Sequence, residues 1–279
     1  MITPPEERLI SSHAYVPEHL PGYVRAISGA EPSLLSDFLC YSAKASLIFI
    51  GYPLRSAFDE KAMSDALGAA VSRFHPEQVA VIAPTIPVTR ETCPQRDRDH
   101  YYRLDLSALR VHAKVRNMIR RASREVRVER TGKMGEEHVR LVAEFLDSRP
   151  VNQEIRFIYE RIPAYVSAVS SVRLFGARNA AGNLVAFDVA DFGGRDYAFY
   201  QFNFRSKSAH VPGASDLLLH ELVGAAREEG KAFVNLGLGI HQGVVHFKEK
   251  WGGKPFLTYE YCRYAPGPRT LFDVLLQKL

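Results

Sequence analysis

The sequence predicts an α+β protein with a mixed central sheet flanked by helices and a smaller amino-terminal unit. Apolar segments separated by short turns over residues 172–204 predict a three-stranded antiparallel meander. A helix over Ser215–Glu229, ending at Gly230, leads into a strand over Ala232–Leu238. Because one helix joins neighbouring strands there, we expect those strands to be parallel.

The composition is that of an ordinary globular protein. The chain has 279 residues, of which 46% are hydrophobic, so it can bury a full core and divide into two units. The net charge of +5 favours an anionic partner such as a phosphorylated cofactor or RNA, although a solvated basic face explains it equally well.

Cysteine usage and the amino terminus bear on location. Cys40, Cys93 and Cys262 lack metal-ligand or redox spacing, which predicts reduced thiols. The amino terminus lacks the basic-then-apolar order of a secretion signal, and no apolar segment approaches the roughly 18 residues of a membrane span. We therefore expect a cytoplasmic protein.

The first hundred residues form the predicted smaller unit. Aromatic and aliphatic residues over 38–52 predict a strand or hairpin, residues 59–74 have helical spacing, and Gln78–Ala83 is a short apolar strand. The polar segment Arg90–Asp99 predicts a loop. We place the domain boundary at residue 100, which gives domains 1–100 and 101–279.

The second domain begins with a strand and a long helix. A strand over residues 101–106 precedes a cap at Ser107 and a helix to Val126, one face of which is apolar and the other basic. Further predicted elements are helices 136–146 and 154–169, the latter interrupted by Pro163, a short helix 242–251, a strand 256–264 and a terminal helix 271–276.

The segment from Phe233 to Trp251 is the most informative. It is an apolar strand that ends at Gly237 and Gly239 and continues into a short helix with lysines and the single tryptophan. Glycines at a strand end allow a turn or the close approach of a ligand. We interpret the segment as one side of a binding cleft, with tight turning alone as the alternative.

Three motifs resemble the GNAT-like acyl-CoA N-acyltransferase superfamily, in particular the branch of the Fem-type peptidyltransferases and related acetyltransferases. Their order and spacing carry the resemblance, which spans roughly residues 101–264. The motifs are Lys114-Val115-Arg116-Asn117-Met118-Ile119-Arg120-Arg121-Ala122, Ser208-Ala209-His210-Val211-Pro212-Gly213-Ala214-Ser215, and Asn235-Leu236-Gly237-Leu238-Gly239 with Phe247-Lys248-Glu249-Lys250-Trp251-Gly252.

The resemblance implies an acyltransferase in the domain 101–279, and in the domain 1–100 one half of a tandem arrangement. The implied reaction moves an acyl group from acyl-CoA, such as acetyl-CoA, to a small-molecule or peptidyl amine in a direct ternary complex, without a metal. No cysteine is placed for a covalent intermediate. The oligomeric state is not predicted.

The resemblance also implies the site residues. Lys248 would approach the reacting carbonyl and stabilise negative charge there. The loop before the Ser215 helix would receive a pyrophosphate at free backbone N–H groups, whereas the alternative is an ordinary helix entry. The implied donor-binding residues are Asn203, Arg205, Lys207, Ser208, His210, Gly213, Ser215, Gly237 and Gly239.

Two features leave other functions open. The glycine-rich phosphate loop of ordinary GNAT enzymes is replaced by residues 209–214, which leaves aminoacyl-tRNA as an alternative donor, as in Fem-type enzymes. A non-catalytic protein of the same fold is a further alternative. The basic helix face, which either binds transfer RNA or is simply solvated, carries Arg110, Lys114, Arg116, Arg120, Arg121, Arg124 and Arg127.

A general base is not singled out by the sequence. Spacing does not choose among the candidates Asp188, Asp191, Glu249, His241 and His246. A serine hydrolase is disfavoured because the chain has no Gly-x-Ser-x-Gly motif, and the histidines show no metal pattern.

Overall fold

The computed structural model describes residues 2–87, 92–93, 95–148 and 150–266. Within them the chain divides into two compact units. Unit 1 comprises residues 2–30 and 99–258, and unit 2 comprises the described parts of 31–98 and 259–266. The domain boundary at residue 100 stays a prediction. The terminal helix at 271–276 and part of the loop at 90–99 lie outside the described residues.

Helices and strands follow one another in groups along the described chain. The helices are α1 (Pro4–His13), α2 (Pro21–Ser28), α3 (Glu60–Phe74), α4 (Ala113–Glu125), α5 (Glu136–Asp147), α6 (Gln153–Glu160), α7 (Ile162–Ala168), α8 (Ala214–Glu228) and α9 (Gln242–Lys250). The strands are β1 (Glu31–Leu35), β2 (Phe38–Ala43), β3 (Ser46–Ile50), β4 (Gln78–Ala83), β5 (Gln95–Asp105), β6 (Val126–Thr131), β7 (Val172–Asn179), β8 (Leu184–Asp191), β9 (Tyr197–Arg205), β10 (Phe233–Leu238) and β11 (Lys254–Tyr264).

Unit 1 is built on a mixed sheet in the order β5-β10-β9-β8-β7-β6. The predicted meander is present as β7, β8 and β9 in antiparallel pairing. Helix α8 connects β9 to β10, and these two strands are parallel, as the sequence predicts. The remaining pairs in this sheet, β5 with β10 and β6 with β7, are antiparallel.

The two faces of this sheet are covered by different apolar clusters. One face packs against α4 and α8 around Leu218, Leu222 and the fully buried Trp251. The other face packs against α5 and α7 around Leu141, Tyr165 and neighbouring aromatic residues. Since both faces are covered, every residue of β8 is buried, including two aspartates.

Unit 2 contains a smaller mixed sheet. Strands β1, β2 and β3 are antiparallel, β3 and β4 are parallel, and β4 pairs antiparallel with the end of β11. Asp59 caps the start of helix α3, and its carboxylate accepts the Ala62 N–H at 2.7 Å. The helix packs Met63 and Ala70 into the core of the unit.

Unit 2 also contains a disulfide between Cys93 and Cys262, whereas Cys40 is a buried free thiol. The prediction of three reduced thiols is wrong for this pair. The two cysteines are 169 residues apart, so their pairing depends on the neighbouring strands and leaves no local pattern in the sequence.

Several predicted bounds differ from the observed ones. Strand β5 already begins at Gln95, within the predicted loop. Ser107 does not cap α4, because its side chain and backbone N–H both donate to Asp105, and α4 begins six residues later. The elements α1, α2, β1 and β6 are additional to those predicted. The predicted helix 154–169 is interrupted at Arg161, between α6 and α7, and Pro163 lies in the first turn of α7.

Candidate active site

The candidate site in unit 1 lies where β9 and β10 stop pairing. Their parallel ladder has three residue pairs, of which the last joins Asn235 to Phe199. A β-bulge follows on each strand: the β10 register with β5 shifts between Asn235 and Gly237, and the β9 register with β8 shifts opposite Val189 and Ala190. The parallel pairing thus ends at Asn235 and Phe199, and we call the region beyond that pair, between the ends of β9 and β10, the wedge.

Gly237 forms part of the wedge wall. Its φ of +73° is a conformation that favours glycine, and a Cβ placed there would lie 3.8 Å from the Tyr200 carbonyl oxygen and 3.9 Å from the Lys248 Nζ. The predicted site residues Gly237 and Lys248 therefore lie beside each other, across the wedge from β9.

Lys248 is almost completely buried, with 2% of its surface exposed. Its Nζ donates to the Leu238 carbonyl at the end of β10 and lies 5.6 Å from the centre of the Tyr102 ring. Burial lowers the pKa of Lys248 to about 7, with a smaller opposing effect from Asp99. Near neutral pH this side chain is therefore present both as an ammonium and as a neutral amine.

The turn after β10 is held by Asp99. Its carboxylate accepts the Gly239 N–H at 3.1 Å and the Ile240 N–H at 2.7 Å. A Cβ at Gly239 would lie 2.7 Å from the same carboxylate, so a larger residue would disrupt this turn. Gly239 thus has a local structural role, and its proposed contact with a donor stays a prediction.

A second polar cluster extends from β8 to the start of α8. Asp188 is fully buried; its Oδ1 accepts from Asn203 Nδ2 at 2.6 Å and from the Tyr200 hydroxyl at 3.5 Å, and its Oδ2 has no hydrogen-bond partner. Burial raises the pKa of Asp188 well above its usual range. Ser215 donates to Asn203 Oδ1 at 3.3 Å, so two predicted donor-binding residues belong to this cluster.

The predicted pyrophosphate loop is paired with a carboxylate of the protein itself. The Lys207 N–H donates to Glu144 Oε1 at 2.7 Å, and the Lys207 Nζ lies 3.4 Å from the Ser148 carbonyl. Ser208 shares a hydrogen bond with Ser206 at 3.0 Å. An anion bound at the Lys207 N–H would lie beside the Glu144 carboxylate and be repelled by its negative charge.

The remaining predicted residues lie at the ends of this loop. Gly213 caps α8 with a φ of +83°, and a Cβ there would lie 2.9 Å from the Met118 carbonyl of α4. Arg205 and His210 are exposed. The structure thus brings Gly237, Gly239 and Lys248 together, and separately Asn203 with Ser215. The donor-binding roles themselves stay predictions.

Other charged residues near the site have structural partners. Lys250 pairs with the buried Asp216 at 2.7 Å, and Trp251 Nε1 donates to the same carboxylate. Asp191, a candidate base in the sequence, accepts from Tyr165, Ser171 and Gly193. His241 caps α9. None of Asp216, Glu144 and Glu18 was named from the sequence, because their partners are distant along the chain.

The basic face of α4 is exposed. Five cationic side chains on it are exposed, and among the described residues one of them, Arg121, lies within 4.0 Å of a carboxylate, that of Glu125 at 3.7 Å. The apolar side of the helix is buried in the core at Val115 and Ala122. The five residues are Lys114, Arg116, Arg120, Arg121 and Arg124.

The described residues lack a metal site and a membrane-spanning helix. They contain no group of three His, Cys, Asp or Glu side chains placed to hold a metal ion. Within the same part of the chain, no helix combines the length and apolar character needed to cross a membrane.

Comparison with protein-family models and with curated proteins gave no match. Solved structures do match. The C-terminal domain of a protein described as a lysylphosphatidylglycerol synthetase from Agrobacterium fabrum is 14% identical, with a TM-score of 0.61, over 98% of this chain and 95% of that one. FemX is 11% identical, with a TM-score of 0.61, and the match covers 100% of this chain and 98% of the FemX chain.

A third match is a tandem GNAT protein from the clavulanic acid biosynthesis pathway. It is 13% identical, with a TM-score of 0.55, over 84% of this chain and 79% of that chain. At these identities the likeness concerns the fold. The predicted α+β architecture is confirmed, and the chain has the GNAT-like fold shared by FemX and tandem GNAT proteins.

Proposed function

We propose that the protein is an acyltransferase that moves an activated acyl group to an amine within the β9–β10 wedge. The observation that carries the proposal is Lys248, a buried lysine whose Nζ lies at the end of β10 beside Gly237. Burial of a lysine is costly, so an ammonium kept at the mouth of a strand opening is consistent with a role in catalysis.

In the proposed reaction the acyl carbonyl lies in the wedge and the amine nitrogen attacks it. A carbon–nitrogen bond forms, the bond to the leaving group breaks, and the amine loses a proton. Negative charge develops on the carbonyl oxygen, and the Lys248 ammonium stabilises it in a site of low dielectric. With its pKa lowered to about 7, the Lys248 ammonium can also donate its proton to the leaving group and then take up the proton that the amine loses, so the protons balance.

The donor is either acyl-CoA or aminoacyl-tRNA, and the charge distribution favours the tRNA. Glu144 accepts the Lys207 N–H, so a carboxylate faces the loop where the CoA pyrophosphate would lie. The exposed cations of α4 instead suit a longer polyanion. A small-molecule or peptidyl amine is the proposed acceptor. The proposed location is the cytoplasm, which the Cys93–Cys262 disulfide does not support.

Replacement of Lys248 tests the proposed reaction. Lys248→Ala is expected to lower the turnover number by about 100-fold or more, because a preorganised charge at a developing oxyanion commonly contributes that much. Lys254→Ala, which removes an exposed lysine at the start of β11, is the control. If Lys248→Ala folds and retains full turnover, the proposed role is wrong.

A thermal-shift panel tests the donor. The ligands are acetyl-CoA, a long-chain acyl-CoA, free CoA and charged tRNA, and a ligand that binds the folded state alone must raise the melting temperature. Charged tRNA is expected to give the shift, and Arg116→Ser with Arg120→Ser should reduce it, more strongly at low salt. A shift with acyl-CoA alone would select the other donor, and no shift with any ligand would contradict both.

A further inference from the structure

The turn after β10 has a strained conformation. The His241 N–H donates to the Gly239 carbonyl at 2.6 Å, which makes a γ-turn whose central residue, Ile240, has a φ of +60°. This form of γ-turn is rare and strained, and a β-branched side chain makes it more costly. The Ile240 side chain is 74% exposed, so its burial does not offset the cost. Hydrogen bonds to the backbone of the turn must therefore hold it.

Those hydrogen bonds go to β5, and chiefly to one carboxylate. Asp99 Oδ1 accepts from the Gly239 N–H at 3.1 Å, and Asp99 Oδ2 accepts from the Ile240 N–H at 2.7 Å. The Gly239 N–H also lies 3.2 Å from the His100 carbonyl. Hydrogen bonds to a charged acceptor are stronger than those between neutral groups. Asp99 thus binds the backbone on both sides of the strained peptide.

The same turn determines where Lys248 lies. Leu238, directly before the turn, supplies the carbonyl that accepts from the Lys248 Nζ, and α9, which carries Lys248, begins directly after it. A Cβ at Gly239 would lie 2.7 Å from Asp99 Oδ1 and 3.4 Å from the Tyr102 side chain. A change in the turn would therefore move both the lysine and its acceptor.

Asp99 also acts on Lys248 through its charge. Burial lowers the pKa of Lys248 to about 7, and the Asp99 charge has the opposite effect, because a negative charge nearby favours the ammonium form. One carboxylate thus has two effects on the lysine, one through the backbone of the turn and one through space.

The other ionisable groups around Lys248 are neutral, screened or paired. Burial raises the pKa of Tyr102 on β5 and of Tyr200 on β9, so both are neutral near pH 7. On α9 itself, Glu249 is exposed, so water screens its charge, and Lys250 is paired with a buried carboxylate. These groups leave Asp99 as the charge that acts on the Lys248 ammonium.

We propose that Asp99 is a positioning residue for the acyl transfer: its carboxylate fixes the strained turn that places Lys248, and its charge keeps that lysine in the ammonium form. The proposal rests on the reaction described above, in which a charged Lys248 stabilises the developing negative charge on the carbonyl oxygen. An aspartate that only held the turn would leave the protonation of Lys248 unchanged.

A ¹³C NMR titration of the lysine-labelled full chain tests the proposal. It follows the Lys248 Cε resonance, which is assigned by its loss in Lys248→Met. Asp99→Asn removes the charge and retains one oxygen acceptor for the turn, and the acid dissociation constant of Lys248 is expected to increase about threefold or more. Asp97→Asn makes the same substitution at an exposed position of β5 and should leave the constant unchanged.

The pH dependence of turnover gives a second measurement. Turnover by the ammonium form falls as the pH rises through the pKa of Lys248, and this fall is expected at lower pH in Asp99→Asn. An unchanged Lys248 titration, with turnover reduced equally at every pH, would overturn the proposal. If Asp99→Asn does not fold, the same comparison is made in an Ile240→Gly background, because glycine adopts the turn conformation without strain.

Two outcomes separate this inference from the proposed reaction. If Lys248→Ala loses turnover while Asp99→Asn leaves the Lys248 titration unchanged, the role of Asp99 is wrong and the reaction stands. If Lys248→Ala retains turnover while Asp99→Asn changes the titration, Asp99 controls the protonation of the lysine but the proposed reaction is wrong.

Discussion

At the scale of single residues, the candidate site is dominated by two ionisable side chains that burial makes less charged. Lys248 is 2% exposed and Asp188 is 0% exposed. Desolvation is the main cause of both pKa changes, which favour a neutral amine at Lys248 and a neutral acid at Asp188. Each pKa change makes the free energy of unfolding depend on pH. A single substitution at each residue removes that dependence and so allows it to be measured.

For Lys248 the folded-state pKa is about 7, below the value of 10.5 in the unfolded chain. Between these values the unfolded state binds more protons, so the wild type becomes more stable as the pH rises. Lys248→Met lacks this effect. Its stability advantage over the wild type should be largest at or below pH 7 and shrink above it by up to about 1.4 kcal/mol per pH unit.

Urea unfolding of both proteins between pH 6 and pH 10 measures this difference, with Lys254→Met as the exposed control. A constant difference across that range would show that Lys248 is not desolvated as described.

Asp188 gives the opposite dependence. Its folded-state pKa is raised above the unfolded value of 3.8. At a pH between the two pKa values the folded protein binds more protons than the unfolded chain, so the wild type loses stability as the pH rises from one value to the other. Asp188→Asn cannot ionise and keeps the Oδ1 acceptor for Asn203. The stability of this variant relative to the wild type should therefore increase from pH 4 to pH 8.

Thermal unfolding at several pH values tests the Asp188 prediction. A relative stability of Asp188→Asn that stays constant or falls over this range would indicate an ionised carboxylate in the folded protein.

Sequence reasoning reached the residues that are close together along the chain and missed those that are distant. Lys248, Gly237 and Gly239 belong to one segment, so their proximity could be predicted. Glu144 contacts a loop that is 63 positions away, and Glu18 contacts Tyr101 across 83 positions. No local pattern encodes such contacts, because the packing of separate elements creates them.

At the scale of elements, α8 positions both the wedge and the loop before it. It begins at Gly213 in a left-handed conformation, next to the Met118 carbonyl of α4. This contact fixes where the helix starts, and with it Ser215 and Asn203. A sequence can indicate the helix, but the tertiary contact with α4 determines which residue must be glycine.

Two alanine substitutions in this element should have opposite effects on stability. Gly213→Ala places a Cβ 2.9 Å from a backbone oxygen at φ +83°, and should lower the free energy of unfolding by about 2 kcal/mol or more. Gly224 lies within the same helix, where an added Cβ would meet only the Arg130 guanidinium at 3.8 Å. Gly224→Ala should therefore raise the free energy of unfolding by about 0.5–1 kcal/mol. Denaturant unfolding measures both, and equal effects would contradict the role of Gly213.

Element prediction succeeded where periodicity was strong and failed where local chemistry competed with it. The strand over Gln78–Ala83 and the break between α6 and α7 match the prediction. Ser107, expected to cap a helix, instead bonds Asp105, because a short polar side chain satisfies whichever backbone or side-chain group is nearest. Strand β6 follows α4 without a turn residue that could have indicated it.

At the scale of the whole molecule, the chain passes from unit 1 into unit 2 and back. The sequence predicts one linear boundary, at residue 100, and this stays a prediction. The overall class was predictable, since the helix between β9 and β10 implies a parallel crossover. The return of β11 to pair with β4 depends on contacts between residues far apart in sequence.

The disulfide of unit 2 makes a prediction at this scale. Cross-linking residues 169 positions apart constrains the unfolded chain, so Cys93→Ser is expected to lower the free energy of unfolding by about 2–5 kcal/mol. Thiol titration of the denatured, non-reduced protein should find one free thiol, that of Cys40. Three free thiols would show that the pair is reduced.

The Glu144 carboxylate at the loop before α8 has a consequence for how the protein would behave in a cell. Nucleotides and free coenzymes are abundant there, and a loop with unpaired N–H groups would be competed for by any of them. Because the Lys207 N–H already donates to Glu144, a small phosphate would have to displace this carboxylate to bind there. We therefore expect turnover to be insensitive to millimolar ATP.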